Sequence, residues 1–302
     1  MDERRLDMLR ELDRRGSVTA TAAALHVTPT AVSQQLHLLE REARATLLRR
    51  VGRGIELTDA GRELAAASVH LAAAREELQA RWDRYRGQVA GIVRLAVFPT
   101  AGQRFVPGLL SRLAAQPEIE LIATDLDVHS DDYAPYADRF DIVVAHRPVG
   151  DPSPVRTRDG DSFTVVPLTR ERLAVAVAPG HRLADRHRVR PVTLARESWI
   201  GVPADWPFDR LLTQWFGTAG LTPRVVQRFG DLRMQEALVA AGHGIALLPK
   251  DSVDDREGQR LRLLDTLDGE PTRQIEAILR PDRAARAVVA EVLRHLQELT
   301  AH

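Results

Sequence analysis

The stretch that most constrains the fold is DAGRELAAASVHLAAAREELQARWDRYRGQV, residues 59–89. No Pro interrupts it, and Gly appears only at Gly61 and Gly87. Leu64, Leu71, Leu78 and Tyr85 recur at intervals of seven, with Ala67 and Ala74 three residues after the first two. A seven-residue apolar recurrence sustained in this way predicts a long helix with one narrow seam. The seam could lie on the helix's own domain; its length and the lack of a second apolar face favour pairing with another copy. Thr58 is the expected N-cap. The helix divides the chain into a head (1–58), a linker (59–89) and a larger remainder (90–302).

In the head, Leu6, Met8, Leu9 and Leu12 stand among charges at helical spacing, and Gly16 stops that helix. Ser17 caps a short second helix through TATAAALH, and Val27 sits in a tight turn. Thr28 then caps a third helix with Pro29 at its first position, where a missing N–H costs nothing. Val32, Leu36 and Leu39 form its buried stripe, with Thr30, Ser33, Gln34, His37 and Arg41 on the opposite side. This spacing predicts a helix-turn-helix. In LLRRVGRGIELT, two apolar runs flank Val51-Gly52-Arg53-Gly54, which predicts a β-hairpin with Arg53 at its tip, a wing.

From Gly91 the texture changes. GIVRLAVF, IELIAT, DIVVAH, FTVVPL, RLAVAVA, SWIGV, RVVQRF and GIALLP are short β-rich runs, with helical stretches at 102–115, 207–217 and 231–241 between some of them. Such alternation predicts an α/β fold with mainly parallel sheets, in two units flanking a cleft. A strand RQIEAILR and a helix from Asp282 to Leu299 close the chain.

Composition narrows the function. The 302 residues are 44% hydrophobic and 28% charged, ordinary for a soluble protein. The opening MDERRLDMLRELDRRG has no apolar core, unlike a signal peptide, and no run approaches the roughly 18 apolar residues of a membrane span. A cytoplasmic location and no membrane partner are expected. Without Cys there is no disulfide framework or thiolate metal site. Net charge is zero, and Lys250 is the only Lys among the basic residues. No G-x-S-x-G elbow, phosphate-binding G-x-x-x-x-G-K-[ST] or H-E-x-x-H is present, and Gly242-His243-Gly244 lacks the third glycine of a dinucleotide loop. His181 and His187 read as parts of a solvated Arg-rich loop, and His129-Ser130-Asp131-Asp132 lacks calcium-loop spacing. Neither an enzyme nor a metal site nor a cofactor is expected. A solute-binding protein with the fold of the second half alone, or a regulator without an effector, remains as an alternative.

The chain resembles LysR-type transcriptional regulators along its length. The resemblance is carried by GSVTATAAALHVTPTAVSQQLHLLERE, then LLRRVGRGIELTDAGR, and more loosely by VRLAVFPTAG, APGHRLA, Trp199-Ile200 and LVAAGHGIALLP. It implies an N-terminal all-α winged helix-turn-helix, a dimerising linker helix and a C-terminal α/β, two-lobed, periplasmic-binding-protein-like regulatory domain. The lobes would be 91–160 with 268–302, and 161–267. A small effector would bind between them, and regulatory domains would build a homotetramer from homodimers, possible partners of RNA polymerase. Three positions depart from the family's pattern. Pro29-Thr30 stands where a Gln-Pro pair is usual, Ala20 where a basic residue is common, and Arg44 where Gly usually ends the third helix. A left-handed non-Gly residue costs roughly 1 kcal/mol, so that helix is expected to end differently.

An α-helix fits the major groove, and Gln suits adenine N6 and N7. Gln34 is therefore the leading base reader, with Thr30, Ser33 and His37 beside it. Thr28 and Pro29 open a positive helix end suited to phosphate, and Arg41, Arg50 and Arg53 would hold phosphates without reading sequence. One short helix reads few base pairs, so dyad half-sites on double-stranded DNA call for a homodimer. For the effector, Thr100, Ala101 and Gly102 open a helix at the carboxyl end of a strand, a place that suits an anion. His146 and Arg147 end the strand DIVVAH, and Val202, Pro203, Phe229 and His243 would complete the pocket. Phe229 could equally be core, and His243 could serve a turn.

Overall fold

A computed structural model describes all residues except 52–53, 127–132, 153–162 and 301–302. Arg53, the acidic stretch 129–132 and the expected lobe boundary near 160 therefore lie outside the described residues. The chain forms two compact units, one holding Met1–Gly91 with Leu279–Glu291, the other the α/β part between Ile92 and Ile278 and the stretch from Val292. Leu279–Glu291, which the family resemblance puts in a regulatory lobe, is thus grouped with the head.

In the first unit, α1 (Glu3–Arg15) ends where Gly16 turns left-handed at φ 64° and donates its N–H to the Leu12 carbonyl at 2.9 Å. Ser17 caps α2 (Val18–Ala24), and His26, at φ 54°, makes the turn that follows. Thr28 Oγ1 accepts from the Ala31 N–H at 3.2 Å to open α3 (Pro29–Ala43). At its far end Arg44 does adopt the left-handed conformation, φ 50° and ψ 36°, with its N–H on the Glu40 carbonyl. The expected different ending is not found; the helix accepts the strain of roughly 1 kcal/mol instead. Leu6, Leu9, Leu12, Val32, Leu36 and Leu39 are buried together as the core.

Strands β1 (Leu48–Val51) and β2 (Gly54–Leu57) pair antiparallel, Leu48 opposite Leu57, as the hairpin pattern predicts. Thr58 caps α4 (Asp59–Tyr85), its Oγ1 accepting from the Gly61 N–H at 3.1 Å. The helix stops short of residue 89 because Gly87 turns left-handed at φ 64°. Gly61 is demanded by a close approach: a Cβ there would lie 2.2 Å from the Leu47 carbonyl oxygen. The same oxygen accepts from the Thr58 N–H at 2.9 Å, so the wing and the helix start are fixed by one backbone group.

The second unit runs β3 (Gly91–Val97), α5 (Pro99–Leu113), β4 (Ile119–Asp125), α6 (Ala134–Ala137), β5 (Ile142–Pro148) and β6 (Thr164–Val177). It continues through β7 (Arg188–Val189), α7 (Pro191–Leu194), β8 (Ser198–Gly201), α8 (Pro207–Gly217), β9 (Arg224–Arg228), α9 (Leu232–Ala240), β10 (Ala246–Pro249) and β11 (Arg262–Thr266). After β12 (Thr272–Leu279) come α10 (Pro281–Ala284), which groups with the first unit, and α11 (Ala287–Thr300), which groups with the second from Val292 on; these two helices replace one expected helix. Strand order is β4-β3-β5-β12-β6-β11-β7, with β10 also on β6 and a separate β8-β9 pair. The sheets are mixed rather than mainly parallel. β3–β5 and β8–β9 are parallel, whereas β12–β5, β10–β6 and β11–β6 are antiparallel. FTVVPL and RLAVAVA, read as two strands, form the single strand β6; the intervening charged residues did not break it because Glu171 is buried in an ion pair. Among the described residues no helix is long and apolar enough to cross a membrane.

Gly61→Ala should destabilise the protein by about 1–3 kcal/mol, the usual cost of overpacking, seen as an earlier midpoint in chemical denaturation. An unchanged midpoint would mean that the helix start can move away from Leu47.

Candidate DNA-binding face and effector pocket

Burial of Val32, Leu36 and Leu39 decides which side of α3 faces outward. Thr30, Gln34, His37 and Arg41 are exposed, and Ser33 is half-buried. The adjacent glutamines separate: Gln35 Oε1 accepts from Arg5 Nε at 2.9 Å, and Arg5 also pairs with Glu42, so Gln35 fastens α3 to α1 while Gln34 stays outside. His37 Nδ1 lies 2.9 Å from Glu40 Oε2, leaving Nε2 for an outside contact. Glu40 Oε1 accepts from the Leu47 and Leu48 N–H groups at 2.9 and 3.1 Å, joining α3 to the wing. Burial would raise the Glu40 pKa, but hydrogen bonds from His37, Leu48 and Leu47 outweigh it and hold the carboxyl below its usual value. Thr28, Pro29 and Arg50 are exposed around this face.

The seam of α4 divides. Leu64 is half-buried against the winged-helix core. Leu71, Leu78 and Tyr85 are 54, 70 and 83% exposed in the single chain. Trp82, which the seven-residue spacing passes over, is also exposed and stacks on Tyr85 with ring centroids 5.6 Å apart.

In the second unit a cavity of about 340 Å³ lies where α5, α8 and α9 begin and where β5 and β12 run side by side. Of the expected pocket residues, Thr100, His146 and Val202 line it. Others do not. Arg147 follows His146 on β5 and so projects from the opposite face, where it bonds Glu276 and the Asp151 carbonyl. Ala101 is buried, Gly102 packs near Val97, and Pro203 lies beyond the lining. Phe229 is half-buried and packs against the cluster that holds Ile200 and Val239, and His243 is exposed in the turn after α9.

The sequence reading missed the group that dominates the cavity floor. Arg273, on β12, is 2% exposed and bonds Glu171 Oε2 through Nε at 2.6 Å, with a second contact from Nη2. Nη2 also donates to Thr100 Oγ1 at 2.9 Å. The guanidinium carbon sits 4.7 and 4.8 Å from the ring centroids of Phe98 and Phe208. Burial lowers the Arg273 pKa against the opposing pull of Glu171, but a guanidinium keeps its proton. Ile275, two residues on, stands opposite His146, so His146 shares the Arg273 face of the sheet. Burial, with Arg273 and Arg210 nearby, holds the imidazole pKa well below 6.5 and the ring neutral. The signals that could have found this site are the aromatic–proline pairs Phe98-Pro99 and Trp206-Pro207, each opening a helix.

A winged helix-turn-helix head joined through a helix to an α/β ligand-pocket unit defines a transcription regulator with an effector-binding domain. The chain belongs to the LysR family. Residues 4–62 match the bacterial regulatory helix-turn-helix protein, lysR family, and residues 86–301 match the LysR substrate binding domain. It is 27% identical to the transcriptional activator IlvY of Salmonella typhimurium strain LT2, over 83% of both chains. A putative LysR family regulator from Pseudomonas aeruginosa shares the fold (TM-score 0.59, 20% identity, 98% of both chains covered). So does full-length CbnR complexed with its target DNA (TM-score 0.54, 21% identity, 99% of this chain and 100% of that one).

Because His146 binds no proton when folded but does so when unfolded, its contribution to stability is complete above about pH 6.5 and declines as the pH falls below that value. Relative to wild type, His146→Phe should remove up to about 1.4 kcal/mol per pH unit of that decline, read from denaturation midpoints across pH 5–8. Parallel pH profiles for the two proteins would mean that the buried ring titrates normally.

Proposed function

We propose that this chain regulates transcription as a dimer, reading double-stranded DNA with α3 and responding to a small molecule held in the cavity floored by Arg273. The observation that carries the reading is the uncharged polar face of α3: Thr30 and Gln34 exposed and Ser33 beside them, with the charged groups at the margins. Gln34 pairs with a base edge, and Thr30, Ser33 and His37 Nε2 stand within the same groove. The backbone N–H groups of Thr28 and Thr30 on either side of Pro29 at the helix start, with Arg41, Arg50 and Arg53, hold phosphates and set register. The exposed Leu71, Leu78, Trp82 and Tyr85 supply the pairing surface of the homodimer, which places two copies of α3 on dyad half-sites.

The effector is a small anion contacting Thr100, His146 and Val202, without metal or further cofactor. Its preference for one geometry of the unit shifts a pre-existing equilibrium by its differential affinity. The protein acts in the cytoplasm without catalysis, as dimers assembled into a homotetramer, with RNA polymerase as the downstream partner; these last points rest on the family.

On a sequence obtained by random-library selection, Gln34→Ala should cost about 1–3 kcal/mol and relax one base position. Arg50→Ala should weaken all sequences alike and reduce the slope of log affinity against log salt by about one. A change of base preference in Arg50→Ala would overturn this division of roles.

A further inference from the structure

The cavity has a basic, buried floor and an acidic, exposed mouth. At the floor, Glu171 and Thr100 occupy Nε and Nη2 of Arg273, and Nη1 has no partner among the described residues. Thr100 accepts from Arg273, so its own hydroxyl proton is available. Helix α5 starts beside them without a side-chain cap or an acidic residue in its first turn, and Pro99 brings no N–H. Helix α8 also starts uncapped, although Asp209 in its first turn accepts from the Asp205 N–H and pairs with Arg228. Helix α5 is therefore the end left open to an anion. A second observation is independent of helix ends: His146 lines the cavity, is 9% exposed, and leaves a buried Nδ1 with no hydrogen-bond partner among the described residues. A neutral imidazole there adds a hydrogen bond for a ligand and no charge.

The mouth has the opposite sign. Asp125 and Asp231 line it and are exposed. Arg233, also at the lining, is committed to Glu236 and Gln103. Between floor and mouth the walls are apolar, with Phe98, Phe208, Trp206 and Leu232.

We infer that this cavity takes a compact organic monoanion, its carboxylate seated on Arg273 Nη1, the Thr100 hydroxyl and the first-turn N–H groups of α5, its body among Phe98, Phe208 and Trp206. A dianion long enough to reach the mouth is rejected, because its outer carboxylate meets Asp125 and Asp231. His146 hydrogen-bonds the bound molecule from the floor. The inference rests on reading the cavity as the effector site. At about 340 Å³ the space is near the lower end of small-molecule pockets, which suits a molecule the size of benzoate or hexanoate.

The test uses the full-length protein and two matched probe sets: hexanoate, hexanamide and adipate; and benzoate, benzamide and terephthalate. Benzylamine serves as a cation. Binding is followed by calorimetry and by the fluorescence of the protein's tryptophans, Trp206 among them. At least one monocarboxylate should bind, ten-fold or more tighter than its amide and its diacid. Thr100→Val and the paired neutral swap Glu171→Gln with Arg273→Gln should each remove ten-fold or more of that affinity, with circular dichroism confirming the fold. Asp125→Asn should raise adipate affinity several-fold more than hexanoate affinity. If an amide, diacid or amine binds best and depends on Thr100, the cavity is the effector site and the inferred ligand class is wrong. Monocarboxylate binding indifferent to Thr100→Val and to the paired swap would place the anion elsewhere and overturn the inference. No binding by any charge class would overturn it together with the effector-site reading.

Discussion

Three buried side chains on α3 govern the DNA-binding half. Val32, Leu36 and Leu39 are 0, 1 and 0% exposed, and full burial of each contributes roughly 1.5–3 kcal/mol. Rotating α3 about its axis would forfeit that contribution, so the outward direction of Gln34 is set by hydrophobic packing on the other side of the helix. The polar contacts refine it. Arg5 holds Gln35 and Glu42, which fastens α3 to α1, and Glu40 joins α3 to the first strand of the wing. Helix α3 and the wing are thus placed by one compact core.

The second unit depends on a buried ion pair. Removing a guanidinium and a carboxylate from water is costly unless their remaining hydrogen-bonding groups are met. Glu171 meets this by accepting also from Ser252 at 2.8 Å, and Arg273 by donating to Thr100 with phenyl rings nearby at 4.7 and 4.8 Å. A pair set in this way makes a rigid floor, and a ligand that engages Arg273 touches β6, β12 and α5 through it.

How much of this was legible in the sequence depends on the range of the interaction. The caps Ser17, Thr28 and Thr58, the Gly16 stop and the presence of the hairpin are local, and each was readable from a few neighbouring residues. Arg44 is local too, yet its left-handed ending was misjudged, because a cost of roughly 1 kcal/mol is small beside the packing of the whole helix. The pocket was only partly legible. Thr100 and His146 mark the end of a strand and the start of a helix, positions that pattern reveals. Arg273 reaches Glu171 across 102 residues and Thr100 across 173, and nothing in RQIEAILR announces that its first residue is buried. Arg147 was misplaced by the two-residue alternation of a strand, since one step along β5 changes the face. Trp82 escaped a strict seven-residue count because it lies four residues after Leu78 on the same side of the helix.

In the proposed assembly the apolar stripe of α4 pairs two copies so that two α3 helices read one side of the duplex. Its most direct test is a protection footprint on the DNA flanking the protein's own gene, with sedimentation of the same samples, for wild type and Leu71→Asp. The expected result is a wild-type assembly that protects two patches on one face of the duplex, and a Leu71→Asp protein that sediments at half the wild-type mass and protects neither at the same concentration. A Leu71→Asp protein that keeps the wild-type mass and the wild-type footprint would rule this pairing out.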